Sequence, residues 1–417
     1  MHPRGITAAI FTDCRPQALA ALMRSFRDLD LAEDLYQDAC LKAAERWEHD
    51  GQPADPLAWL IRVARNAGID RHRRTRRIAP VSAEDALDAQ KPDGHHEAEM
   101  AEAIDRAQYR DDVLQLMFMC CHADLRPHEQ LALALKVVAG FSLEEIARAF
   151  VVTPDTMQRR ISRAKRKAAA VAARLEPPSR TERAARLDAV QTMIYLMFNE
   201  GYAASGGEDH IRRTLCDEAI RLARLLLRLF PAQGELMGLL ALCLLQHART
   251  PARIGPDGRL VMLEDQDRSL WNAIMIAEGR ALVEKALRKG KPGPLQVQAA
   301  IAAVHCKAAR AEDTDWREID ALYAALTLIA PSAIVALNHA VARAKVDGPA
   351  AGLAMLDPVA EDLAKYRPYH AVRAGLLEQA GDFSGAIAAC GAALALSPTR
   401  PEKAYLEDKI ATLRALI

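Results

Sequence analysis

Aromatic residues make up only 5% of the 417-residue chain, and runs of β-branched residues are rare. Strands draw on both, so their scarcity beside abundant alanine and leucine predicts an all-α protein. The eight cysteines are scattered and form no C-x-x-C pair; they read as reduced thiols buried as small hydrophobes in a cytoplasmic protein. No long apolar core follows Met1. No stretch offers the ~18–20 uncharged apolar residues that would span a bilayer. A P-loop, a G-x-G-x-x-G after a strand and a G-x-S-x-G are all missing, so nucleotide and acyl chemistry have no visible machinery. The chain also lacks net charge, with 55 basic and 55 acidic side chains.

That zero conceals a sorting along the chain. "RHRRTRR" (71–77) and "RRISRAKRKAA" (159–169) are basic, whereas the segment from Ser82 to Asp105 holds eight acidic residues and one lysine. Local potentials of opposite sign follow. The length allows two to four domains. Residues 10–77 read as helices, with apolar spacings of three and four in "QALAALMRSF" and "LAEDLYQDACLKAAERW". Asp55 and Pro56 then cap and open a helix whose Trp59, Leu60, Val63, Ala64 and Ala67 share one face. The acidic segment 78–105 reads as a linker.

Residues 106–175 form a second block. Ser142 and Glu145 make an S-x-x-E capping box, and Ile146, Ala147 and Phe150 supply the inner face of a short helix. Thr153 caps again before Pro154. The next helix turns Met157, Ile161 and Ala164 inward, with Gln158, Arg159, Arg160, Arg163, Lys165, Arg166 and Lys167 mostly outward. Two short helices, the second basic, are a helix-turn-helix pattern. Beyond "EPPSRTER", residues 180–417 are alanine- and leucine-rich helix. "AGLLEQAGDFSGAIAACGAALALSP" (374–398) has tetratricopeptide-like (TPR-like) spacing, and a weaker copy aligns Ala340, Gly348 and Leu353 with Ala374, Gly381 and Ala386. A Pro-Asp-Gly turn within 252–267 predicts a small β-hairpin.

Two motifs carry a family resemblance. Glu33, Asp34, Gln37, Asp38 and Ala39, followed by A-W-L-x-x-x-A-R-N-x-x-I-D-x-x-R-R from Ala58 to Arg74, closely resemble region 2 of bacterial sigma factors of the extracytoplasmic-function (ECF) group. Glu145, Ile146, Ala147, Phe150, Val152, Thr156, Met157, Arg160, Ile161, Arg163, Ala164 and Lys165 fit region 4 of the same family. The stretches "YLMFNEGYAAS" and "ARIGPDGRLVMLEDQDRSLWN" look like extended members with a C-terminal helical-repeat module. One departure is Val151, where region 4 commonly has a turn glycine. A β-branched residue resists positive φ, so a variant turn is expected.

The resemblance implies a sigma factor, not an enzyme. It would bind core RNA polymerase and direct it to promoter DNA, without a cofactor or metal. Asp34, Gln37, Asp38 and Lys42 would dock on the clamp helices of the largest subunit. Arg62, Arg65, Asn66, Arg71, Arg73 and Arg74 would hold the −10 element, with the loop 48–54 capturing an unstacked base. Thr156, Gln158, Arg159, Arg160, Arg163, Lys165 and Arg166 would meet the −35 element. The repeat domain would regulate the sigma part, with a concave face suited to a protein or peptide.

Three other readings compete. A stand-alone helix-turn-helix regulator with a repeat sensor domain would use only 141–169. The set Cys120, Cys121, His122 and His128 resembles zinc ligands. Adjacent cysteines on a helix diverge by ~100°, however, so a core role is expected. Glu264, Asp265 and Asp267 could hold a cation for an enzyme, but caps and turns explain them better. His305, His339 and His370 read as packing or surface residues.

Overall fold

Local punctuation sets the helix boundaries. In a computed structural model describing residues 3–78, 112–122, 124–150, 152–172, 180–202, 213–257, 259–290, 292–396 and 398–417, Asp55 Oδ1 accepts from the Ala58 N–H at 2.9 Å. Pro56 then opens α3 (Pro56–Ile78). Upstream lie α1 (Pro3–Phe26) and α2 (Leu29–Asp50). Between them Arg27 takes φ 53, and Asp28 caps α2 by accepting from the Leu31 N–H. Both helices outrun the apolar periodicity: α1 continues through Pro16, and α2 runs to Asp50, so the connection to α3 shrinks to 51–55.

The second block begins with α4 (112–120) and α5 (Pro127–Ala134), which runs into a wide π-type turn, Leu135–Ala139. The capping box before α6 (Leu143–Ala149) forms as the sequence predicts. Ser142 N–H donates to Glu145 Oε2 at 2.7 Å, and Glu145 N–H to Ser142 Oγ at 3.1 Å. Thr153 Oγ1 accepts from the Thr156 N–H as α7 (Pro154–Ala172) begins. The Val151 turn and the acidic segment 79–111 lie outside the described residues.

The chain divides into two compact units, 1–193 and 194–417, with the division inside α8 (Arg180–Tyr202). In the first unit, Leu19 and Leu22 of α1, Leu35 of α2, Leu60 and Ala64 of α3, Met117 of α4, and Met157 and Ile161 of α7 are buried. Each large apolar side chain removed from water adds roughly 1.5–3 kcal/mol.

The second unit comprises α9 (Arg213–Leu229), α10 (Gly234–His247), α11 (Ala273–Leu287), α12 (Pro294–Lys307), α13 (Trp316–Ile329), α14 (Ala333–Asp347), α15 (Pro349–Leu356), α16 (Arg367–Gln379), α17 (Phe383–Leu394) and α18 (Arg400–Arg414). Its core is a succession of hydrophobic clusters. Ala241, Val283 and Ala299 join α10, α11 and α12. Val297, Ile319 and Ala342 join α12, α13 and α14. Leu337, Leu356 and Leu376 join α14, α15 and α16, and Ala374, Ala386 and Leu406 join α16, α17 and α18. Thus α12, α14 and α16 each serve two clusters from two faces. Gly348 (φ 91), between α14 and α15, and Gly381 (φ 82), between α16 and α17, both lie in a backbone region that a side chain disfavours.

Among the described residues the fold is all-α. The hairpin expected within 252–267 is reduced to one antiparallel bridge, Ile254 with Leu260. Its Pro-Asp-Gly turn closes with Gly255 N–H donating to Arg259 O at 2.9 Å, but no ladder extends from it. Thr250–Ala252 instead forms a short 3-10 turn. No helix of the described residues is long and apolar enough to cross a membrane.

Candidate nucleic-acid interface

The apolar residues of α7 fix which way its charges point. Met157, Ile161, Ala164 and Ala168 are buried at helical spacing. Thr156, Gln158, Arg159, Arg163 and Arg166 consequently face solvent, and Arg160 is half-buried. Thr156 also serves the helix start, its hydroxyl 2.9 Å from Thr153 Oγ1.

Two lysines of α7 depart from the outward expectation. Lys167 Nζ lies 3.2 Å from Glu129 Oε2. Lys165 Nζ lies 2.6 Å from Glu33 Oε2 and 2.7 Å from Asp30 Oδ1, both on α2. The other oxygen of Glu33 receives Arg15 Nη2 at 2.7 Å. Arg15, only 8% exposed, extends from α1 to donate Nε to Val137 O at 2.9 Å and Nη2 to Lys136 O at 3.3 Å. One buried carboxylate therefore ties α1 and α2 to the 135–139 turn and α7. Burial alone would lower the Lys165 ammonium, but hydrogen bonds to Asp30 and Glu33 more than offset it and hold it above its usual range. Arg24 and Asp112 add a second link at 3.1 Å.

On α2, Asp34, Gln37, Asp38 and Lys42 form one exposed stripe. Leu41 stands in it, 65% exposed. Sequence reasoning passed over Leu41, although its spacing from Asp34 and Asp38 puts it on the same face. Glu33, from the same motif, points the opposite way into the core. Asp34 and Arg71 approach at 3.8 Å, an exposed pair that stabilises little.

On α3, Arg62, Arg65, Asn66, Arg71 and Arg73 are exposed, while Leu60 and Ala64 are buried and Trp59, Val63 and Ala67 are half-buried. The side chain of Arg74 lies outside the described residues. Trp47 and Trp59 meet edge to face at 5.4 Å, and Phe11 joins Trp47 at 5.6 Å, closing the end of α2 against the start of α3. The exposed arginines of α3 and α7 can neutralise phosphates, and Gln158 and Arg159 can reach base edges.

The competing constellations resolve locally. Cys120 and Cys121 are buried; burial pushes the Cys121 thiol up to about 12 and Cys120 well above its usual value. His122 Nδ1 accepts from the Asp124 N–H. Asp267 caps the Arg268–Leu270 turn, accepting from Ser269 N–H at 2.9 Å, and Glu264 pairs with Lys345 at 2.7 Å. His339 is buried against Asp320, its Nε2 3.1 Å from Oδ1.

The class that this arrangement defines is a modular protein with a helix-turn-helix. Comparison with known proteins agrees. The sigma-70 region 2 pattern matches residues 10–78, and sigma-70 region 4 matches 115–167. A family of unknown function, DUF6596, matches 186–287. The chain carries sigma-70 region 2 and region 4 domains followed by a C-terminal DUF6596 domain, an organisation consistent with a sigma-70 family factor bearing a C-terminal extension. It is 50% identical over 401 residues to an uncharacterised protein of Rhizobium meliloti (strain 1021), covering 96% of this chain and 94% of that one. It is 28% identical over 147 residues to the RNA polymerase sigma-H factor of Pseudomonas aeruginosa, covering 35% of this chain and 76% of that factor. No solved structure matches.

Proposed function

We propose that the protein is an ECF-type sigma factor of the cytoplasm that recruits core RNA polymerase through α2 and reads promoters through α3 and α7. The observation that carries this reading is the separation of surfaces on one unit. An acidic stripe with an exposed leucine (Asp34, Asp38, Leu41) suits a protein partner, and arginine faces on α3 and α7 suit DNA. Arg62, Arg65, Asn66, Arg71, Arg73 and Arg74 hold the opened −10 strand, and residues 51–55 border the captured base. Thr156, Gln158, Arg159, Arg160, Arg163 and Arg166 meet the −35 duplex.

The compact arrangement of the first unit is a resting state in this reading. Elements about 25 positions apart at ~3.4 Å each lie ~85 Å from one another on B-form DNA. Contact between Lys165 and Glu33 is incompatible with that span. The two regions therefore part on the polymerase, which frees Lys165 for DNA.

The C-terminal unit is a TPR-like regulator of this step. Its cluster-to-cluster stacking supports a one-dimensional repeat architecture with a surface for a protein or peptide. Truncation after Pro177 tests the regulatory part. Gain of promoter activity means inhibition, loss means support, and unchanged activity refutes regulation. Co-elution with core polymerase tests recruitment: the full chain is expected to associate, and failure to associate overturns the sigma mechanism.

A further inference from the structure

The C-terminal unit gathers arginine side chains near Tyr202 and His305. Arg249, just past α10, donates Nη2 to Tyr202 Oη at 3.1 Å, while its Nε is enclosed without a hydrogen-bond partner. Arg253 lies over the same ring, its guanidinium carbon 3.8 Å from the centroid. Arg268 donates Nη1 to His305 O at 2.8 Å and to Ala308 O at 2.7 Å, and Nη2 to Thr314 Oγ1 at 3.3 Å. Its Nε is also enclosed and unpartnered. Near both arginines, His305 Nδ1 is buried with no partner, and the ring meets Trp316 edge to face at 5.3 Å.

Arginines taken out of water are ordinarily matched by carboxylates, because an uncompensated buried charge costs several kcal/mol. Here Arg249 donates to the Tyr202 hydroxyl and Arg268 to two carbonyls and the Thr314 hydroxyl, all uncharged oxygens. Burial, then repulsion from Arg249 and Arg268, pushes His305 down to about 3, so it stands as a neutral donor or acceptor. Burial holds the Tyr323 phenol protonated up to about 12. Arg249 and Arg268 are each half-buried as whole residues.

We infer that Arg249, Arg268 and His305 form a binding site for a small oxyanion, a phosphate or a carboxylate group. The unpartnered Nε–H groups of the two guanidinium groups are charged donors of the kind such groups accept, and His305 Nδ1 adds a neutral polar atom. The binding claim stands whether or not the C-terminal unit regulates transcription. If that unit does regulate, occupancy of this site is a natural input.

Calorimetric titration of the full chain in chloride buffer, with inorganic phosphate and separately with acetate, tests the assignment. Saturable one-site binding of at least one anion is expected, and the anion that binds identifies the chemistry. Arg249→Lys keeps the charge but removes the fork, and should weaken binding at least tenfold. Arg224→Gln, at a partly exposed pair with Glu278, should leave binding unchanged. Should Arg249→Lys lose its fold by circular dichroism, Tyr202→Phe removes only the phenolic oxygen beside Arg249 and should also weaken binding. No saturable binding of either anion overturns the assignment. So does binding that both Arg249→Lys and Tyr202→Phe leave intact.

Discussion

Glu33 of region 2 and Lys165 of region 4 meet at 2.6 Å, with Arg15 on the other oxygen of the same carboxylate. The arrangement has a definite energetic logic. Glu33 is 7% exposed, so its charge is tolerable only because two cations and their hydrogen bonds surround it. It links helices that the proposed mechanism must separate, and it occupies a lysine that the −35 duplex would otherwise attract.

Removing the shared acid should therefore be costly. Glu33→Gln leaves buried Arg15 without its carboxylate and Lys165 with only the exposed Asp30, and breaking a buried pair in this way costs about 3–5 kcal/mol. Lys165→Met should cost less, because Arg15 still pairs with Glu33. Urea unfolding followed by far-UV circular dichroism measures both, and equal costs would contradict the shared-acid account.

The same contact predicts an alkaline limit. Lys165 is raised in the folded state, so its contribution is fully present below the unfolded lysine value of about 10.4. It is lost as pH rises through the higher native value. Wild type should lose more stability than Lys165→Met between neutral pH and that window. Parallel pH profiles would contradict this.

An acid limit is expected on the other side of α7. Glu129 is lowered chiefly by the Arg126 backbone N–H, with Lys167 helping against burial. A lowered acid stabilises above its unfolded value of about 4.3 and loses that contribution as pH falls through the native one. Glu129→Gln should flatten the acid limb of thermal stability, and an unchanged limb would assign it to other carboxylates.

Much of this was legible in the sequence, and the failures have physical causes. The Asp55 cap, the Ser142–Glu145 box and the Met157, Ile161, Ala164 face are local devices, decided within a few residues. The Arg15–Glu33–Lys165 bridge spans residues far apart in the chain, and helical periodicity carries no signal for such a partner. Glu33 was readable as a motif residue but not as a buried one. The hairpin failed because its turn signal was right while the flanking residues pair only once, at Ile254 and Leu260. Gly348 and Gly381 were readable as turn positions because a side chain makes their positive-φ backbone costly.

On α7 the exposed arginines should act as phosphate contacts. Arg159→Ala and Arg163→Ala should each reduce the slope of log affinity against log salt by about 0.9 if each contacts one phosphate. Filter binding to a −35 duplex across a salt series measures this. Unchanged slopes would remove those residues from the interface.

The central claim is that this chain makes core polymerase initiate at particular promoters. The most direct measurement is run-off transcription from a promoter of its own operon, using core polymerase with and without the full chain or residues 1–177. The account predicts a defined start site that depends on the added protein and is lost with Asp38→Lys or the double variant Arg62→Ala, Arg65→Ala. No transcript from either form, together with no association with core polymerase, would contradict it.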